Sequence, residues 1–149
     1  ATITEVQWVY STNLKDNRYK LNCIAIAKEI RVIKFIVDTG ARNTCCNYRV
    51  IDKCMQECEL RNSETKLIGG LIKGEAVRFY RYRLKQITIG TINMDAQFIW
   101  ITFDKRVTDI VLGMDILKQV IMITNPYNKK VYFCKDAEDF NQNFCLKIR

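Results

Sequence analysis

The chain has no histidine, one proline and six glycines in 149 residues, and no apolar run approaches the ~18 residues that a membrane-spanning helix needs. Nothing in it therefore anchors to a membrane. No charged start followed by an apolar core marks a signal peptide, and no repeat, low-complexity segment or linker divides the chain. One domain over residues 1–149 follows, long enough to bury about two thirds of its unfolded surface. The missing imidazole bears on metal binding. Cys45-Cys46 with Cys54 and Cys58 offers four sulfurs, but the adjacent pair is not a standard ligand spacing, and the chain has no histidine. No metal and no cofactor is expected. The seven cysteines (23, 45, 46, 54, 58, 134 and 145) are an odd number, and a chain of this size needs no covalent staples. Reduced thiols in a cytoplasmic setting are the reading, unless the chain is cut from a longer precursor.

What is present is an ordinary globular composition, 48% hydrophobic and 27% charged, with a net charge of +8. The excess of cations raises a nucleic-acid hypothesis, centred on Arg78-Phe79-Tyr80-Arg81-Tyr82-Arg83. On a strand, Arg78, Tyr80 and Tyr82 share one face and Phe79, Arg81 and Arg83 the other. Neither face is a stacking platform. A two-sided hairpin strand whose long side chains cover apolar neighbours explains the pattern better, so nucleic acid is not the expected partner.

Alternation predicts strands over 3–10, 19–27 and 30–37, with Lys28-Glu29 as a hairpin tip. Residues 11–17 read as a turn. Residues 50–55, with Ile51, Met55 and Cys58 at helical spacing, predict a short helix. Gly69, Gly70 and Gly74 are three of the six glycines, and glycine in a strand marks a bend or the close approach of another backbone. Strand regions follow over 78–89 and 92–103, with a tight turn at 88–93, then an apolar run 110–113 and a helix over 114–120. Strands over 120–124 and 130–134 flank the Asn125-Pro126-Tyr127-Asn128 turn, one helical turn covers 136–141, and a terminal strand covers 144–148. The sum is mainly β and barrel-like.

The chain is organised around Phe35-Ile36-Val37-Asp38-Thr39-Gly40-Ala41. An apolar strand ends abruptly in an acid, a hydroxyl and a glycine. A carboxylate that close to buried residues loses water, which raises its pKa unless hydrogen bonds or opposite charges compensate. Asp-Thr-Gly is also a good turn, and at average usage chance puts it in about 3% of chains this long. Alone it decides nothing.

Three stretches together resemble the aspartic proteases of the retroviral, retropepsin-like type. Residues 35–41 look like their catalytic loop. Lys66-Leu67-Ile68-Gly69-Gly70 resembles the start of their flap hairpin. Ile110-Val111-Leu112-Gly113-Met114-Asp115-Ile116-Leu117 resembles the hydrophobic-hydrophobic-Gly strand behind the catalytic loop and the short helix after it. The resemblance spans about residues 18–134, with 135–149 an extension or dimer strand. It implies a single-domain closed β-barrel with a flap hairpin and one short helix. It implies Asp38 as the acid, Thr39 bonding its counterpart across a dimer axis, and Gly40 bringing its N–H near the carboxylate. Ala41, Arg42, Ile68, Gly69 and Gly70 would meet substrate, and Leu112 and Gly113 would leave room behind the loop. The terminal strands 144–148 and 6–10 would build a dimer sheet.

Such chemistry needs two carboxylates around one water, and the chain contains one Asp-Thr-Gly and no Asp-Ser-Gly. A homodimer cutting peptides or proteins is the expectation. Two other classes stand beside it: a non-catalytic dimeric module that grips peptides on the same fold, and a basic nucleic-acid-binding barrel. Arg42 departs from the acid that retroviral enzymes often carry there, and would bias the pocket toward acidic side chains.

Overall fold

A computed structural model describes residues 4–7, 18–125 and 127–142. Its centre is a hairpin of β2 (Tyr19–Ile26) and β3 (Ile30–Val37). Leu21 pairs with Phe35 and Cys23 with Ile33, and all four are buried, as a period of two requires. The opposite face carries Ile24, Ile30 and Val32, all exposed. Beyond β3 the chain forms β4 (Cys45–Asn47), β5 (Thr65–Ile72), β6 (Glu75–Leu84), β7 (Gln86–Ile89), β8 (Ile92–Met94), β9 (Gln97–Thr102) and β10 (Val111–Leu112). These nine strands pair in the order β5-β6-β9-β4-β10-β3-β2-β7-β8. A second sheet has the order β1-β12-β11, from β1 (Thr4–Gln7), β11 (Ile121–Asn125) and β12 (Lys130–Cys134). Two helices of four residues, α1 (Met114–Leu117) and α2 (Ala137–Phe140), complete the described elements.

The fold is mainly β, as expected. No hydrogen-bonded seam joins the outer strands β5 and β8 among the described pairings, so the expected closure into a barrel has none there. Two ladders are parallel and decide where the site forms: β10 lies beside β3, and β4 beside β9. The main core gathers Phe35, Leu84, Ile87, Ile89, Ile99, Ile101 and Leu112, all buried. At about 25 cal/mol per Å² of apolar area removed from water, this cluster is the main stabilising contribution to the fold.

The structure corrects four readings. No α-helix forms over 50–55. The spacing of Ile51 and Met55 arises in a looped segment between 3-10 turns at Tyr48–Val50 and Glu57–Leu60, and Cys58 is exposed. Tyr48 stacks on Phe103 at 4.7 Å, and Phe103 meets Tyr80 edge-on at 5.6 Å, which seats this loop against β6. The strand region 78–89 breaks at Lys85, whose N–H turns to Ile26 O at 2.8 Å, and 92–103 breaks at Asp95-Ala96. The helix over 114–120 stops at Leu117, because Ile121 already belongs to β11. Within 3–10, a strand covers Thr4–Gln7. The expectations for 8–17 and 144–148 lie outside the described residues.

Candidate active site

β3 ends where its neighbour changes from strand to loop. Ile36 N donates to Ile110 O at 2.7 Å and Asp38 N to Leu112 O at 3.1 Å, so β10 holds the last residues of β3 up to the acid itself. The chain then turns. Ala41 N donates to Asp38 O at 3.1 Å, and Gly40 N donates to Asp38 Oδ1 at 2.9 Å. A Cβ on Gly40 would stand 3.2 Å from that oxygen, so the glycine allows its N–H this approach. Asp38 is half-buried, while Thr39, Gly40 and Arg42 are exposed.

The outgoing limb of the loop is joined to α1. Met114 N donates to Ala41 O at 2.8 Å and Asp115 N to Arg42 O at 3.2 Å. Behind it, Asp115 accepts from Thr44 N at 2.9 Å and from Thr44 Oγ1 at 2.6 Å. Thr44 Oγ1 in turn accepts from Gly113 N at 3.0 Å. Thr44 is fully buried, so its two donors and one acceptor role are all met inside the protein. A Thr44→Val substitution keeps the shape but leaves Gly113 N without its acceptor and removes a donor from Asp115. It is expected to lower stability by about 1–3 kcal/mol, read by thermal unfolding. Gly113 itself has no space for a side chain: a Cβ would lie 2.6 Å from Asn43 C and O.

The opposite wall is the β5-β6 hairpin. Its pairing shifts between Gly69 and Ile72, with Gly70 at φ 91°. Gly69 still pairs with Ala76, the irregularity falls at Gly70-Leu71 within β5, and the turn proper falls at Lys73-Gly74. Lys66 lies over the Trp100 ring at 4.0 Å and donates to Asn43 Oδ1 at 2.5 Å, which fastens the hairpin to the limb after Arg42. A cavity of about 620 Å³ separates hairpin and loop.

Of the residues singled out from the sequence, Asp38, Gly40, Ala41, Arg42, Ile68, Gly69 and Gly70 all line this cavity. Thr39 does not. It borders a second space of about 360 Å³ on the other side of Asp38, with Arg18, Tyr19, Val37, Met122 and Thr124. Leu112 is buried and, with Gly113, stands behind the loop. The sequence reading gave no role to Asn43, Thr44, Lys66, Trp100 or Asp115. Cys45 also lines the cavity, and burial, reinforced by the charge of Asp115, pushes its thiol up to about 12. It is therefore a neutral, inert wall residue. Among the described residues no group of three or more Cys, Asp or Glu side chains is placed to hold a metal ion.

An acid-bearing loop backed by a parallel strand and faced by a hairpin across a cleft defines the retropepsin-like class of scaffold. Residues 25–119, well over half of the chain, match the family described as "gag-polyprotein putative aspartyl protease", and the chain belongs to this aspartyl protease family. Among solved structures it is similar to a retropepsin-like aspartic protease from Rickettsia conorii, with a TM-score of 0.61 and 17% identity over 88% of this chain and 90% of that one. It is also similar to the retroviral protease-like domain of Ddi1 from Leishmania major, with a TM-score of 0.47 and 18% identity over 80% of this chain and 95% of that one. At such identities the first of these establishes the fold alone. No curated protein matches the chain. No described helix is long and apolar enough to cross a membrane.

Proposed function

We propose that the chain is an aspartic endopeptidase that works as a two-fold homodimer, with Asp38 of each subunit flanking one water. The observation that carries this reading is the solitude of the acid: among the described residues Asp38 is the only carboxylate on the cavity wall. Hydrolysis needs one ionised carboxylate to take the proton of the attacking water and one protonated carboxyl to bond the carbonyl oxygen. Two carboxylates about 3 Å apart share a single proton, the behaviour for which aspartic proteases are the familiar example. The rate then falls on both the acid and the alkaline side of an optimum.

Two features support a second subunit as the source of the other acid. Thr39 is exposed, and its hydroxyl has no partner among the described residues, so it is available to bond its counterpart across an axis. Asp38 also borders both spaces, one lined by the β5-β6 hairpin and the other by Thr39. In a two-fold dimer the same patch serves both subunits. The hairpin would close over an extended peptide held as an added strand.

The test is hydrolysis of a denatured protein, with the products mapped by mass spectrometry over a range of enzyme concentrations. Below the dimer dissociation constant, tenfold dilution is expected to lower activity per milligram by about tenfold. Activity per milligram that is independent of dilution, in a protein that sediments as a monomer, would overturn the dimeric reading. Peptide binding without cleavage would leave a binding module.

A further inference from the structure

We infer that Lys66 and Arg42 form a cationic subsite in the cleft that takes an acidic side chain, Asp or Glu, of the peptide substrate. This rests on the peptide-cleft reading above and goes further by naming what the cleft prefers. The two cations stand on the wall of one cavity, whose other lining residues besides Asp38 and Asn43 are apolar, small or a neutral thiol. Five cations elsewhere in the chain are matched by carboxylates, Arg18 with Asp109, Lys28 with Asp52 and Glu59, Arg31 with Glu29, Arg81 with Glu64, and Arg106 with Glu75 and Asp104, and what sets Lys66 and Arg42 apart is their place on the cavity wall. Neither Lys66 nor Arg42 has a carboxylate partner among the described residues.

Lys66 is moreover held in place. Its ammonium sits over the Trp100 ring at 4.0 Å and gives one of its three N–H donors to the neutral Asn43 Oδ1. A half-buried ammonium with a neutral acceptor and an aromatic face has its position fixed and its charge uncompensated. Ordering its long side chain in advance removes an entropic cost from binding. It is a compact point charge with N–H donors left over for a carboxylate oxygen. Arg42, exposed at the cavity edge on the residue after Ala41, adds a second positive charge. The chain's net charge of +8 favours encounter with acidic peptides.

The test uses matched peptide pairs that carry Glu or Gln at each position in turn, built on a mapped cleavage sequence or, where none is cut, on a segment of the denatured protein that the chain binds. The full chain is expected to cleave the Glu peptide about tenfold better at one position, the value of one partly desolvated charge pair (1.4 kcal/mol). Lys66→Glu should invert that preference, Lys66→Arg should retain it, and Arg42→Ala should reduce it. The same pairs are titrated by fluorescence anisotropy onto the Asp38→Asn protein, which reads the subsite whether or not cleavage occurs. A Glu:Gln ratio near one at every position, in cleavage or in binding, overturns the subsite. So does a ratio that Lys66→Glu leaves unchanged while the variant still unfolds at the parent temperature. Loss of cleavage with a preserved Glu preference in binding would instead overturn the protease reading and leave the subsite standing.

Discussion

Replacing Asp38 by Asn is expected to lower peptide hydrolysis by at least about a thousandfold, the scale of losing a general acid–base group, with no change in unfolding temperature. The amide keeps the side chain's size, and its oxygen can still accept from Gly40 N, which donates to Asp38 Oδ1 at 2.9 Å. Folding and chemistry are thereby separated. The sharper version mixes the two proteins. If subunits exchange freely in equal amounts, about one quarter of dimers are wild type and one half are mixed. A mixed dimer has one carboxylate and should be inactive. Wild-type protein incubated with an equal amount of Asp38→Asn should therefore keep about a quarter of the activity of the same total enzyme, whereas a monomeric enzyme would keep a half. The activity of the equilibrated mixture, compared with an unmixed control, decides between them.

Gly113→Ala is the second large effect. Gly113 has φ −100° and ψ −178°, an extended conformation that alanine adopts without strain, so the penalty is one of space. The added Cβ would meet Asn43 C and O at 2.6 Å and Asn43 N at 2.9 Å. All three are backbone atoms, and the loop cannot yield by turning a side chain. The residue after Asn43 is Thr44, whose bonds to Asp115 and Gly113 close the network behind Asp38. An overpacking cost of about 3 kcal/mol follows, equivalent to a fall of about 6–12 °C in unfolding temperature for a chain of this size. Because Asn43 also meets Lys66, activity should fall even at temperatures where the variant remains folded. An unfolding temperature equal to that of the parent would show that the loop relaxes freely.

The contrast between these two glycine-bearing segments shows what could be read from the sequence. The β2-β3 hairpin was legible because alternation over Leu21–Ala25 and Ile33–Val37 is local and the burial pattern follows it. The acid loop was legible because Asp, Thr and Gly after an apolar strand leave few alternatives. The bond of Thr44 to Asp115 was not, since it joins residues 71 apart and neither carries a local signature. The fastening of Lys66 to Asn43 and Trp100 was hidden for the same reason. Gly69 and Gly70 do line the cavity, but the irregularity after Gly69 and the turn at Gly74 depend on cross-strand register, which composition does not specify. The false helix over 50–55 came from Ile51 and Met55, which are buried because a loop folds inward there.

The parallel pairing of β3 with β10 also orders events in time. The partners of Asp38 N, Ala41 O and Thr44 are supplied by residues 112–115, and contacts between distant parts of a chain form late because closing the intervening loop must come first. A nascent polypeptide that has left the ribosome only as far as residue 110 can already fold the β2-β3 hairpin, yet it has no scaffold for the acid. The loop that carries Asp38 thus lacks its supports until residues 112–115 have been synthesised.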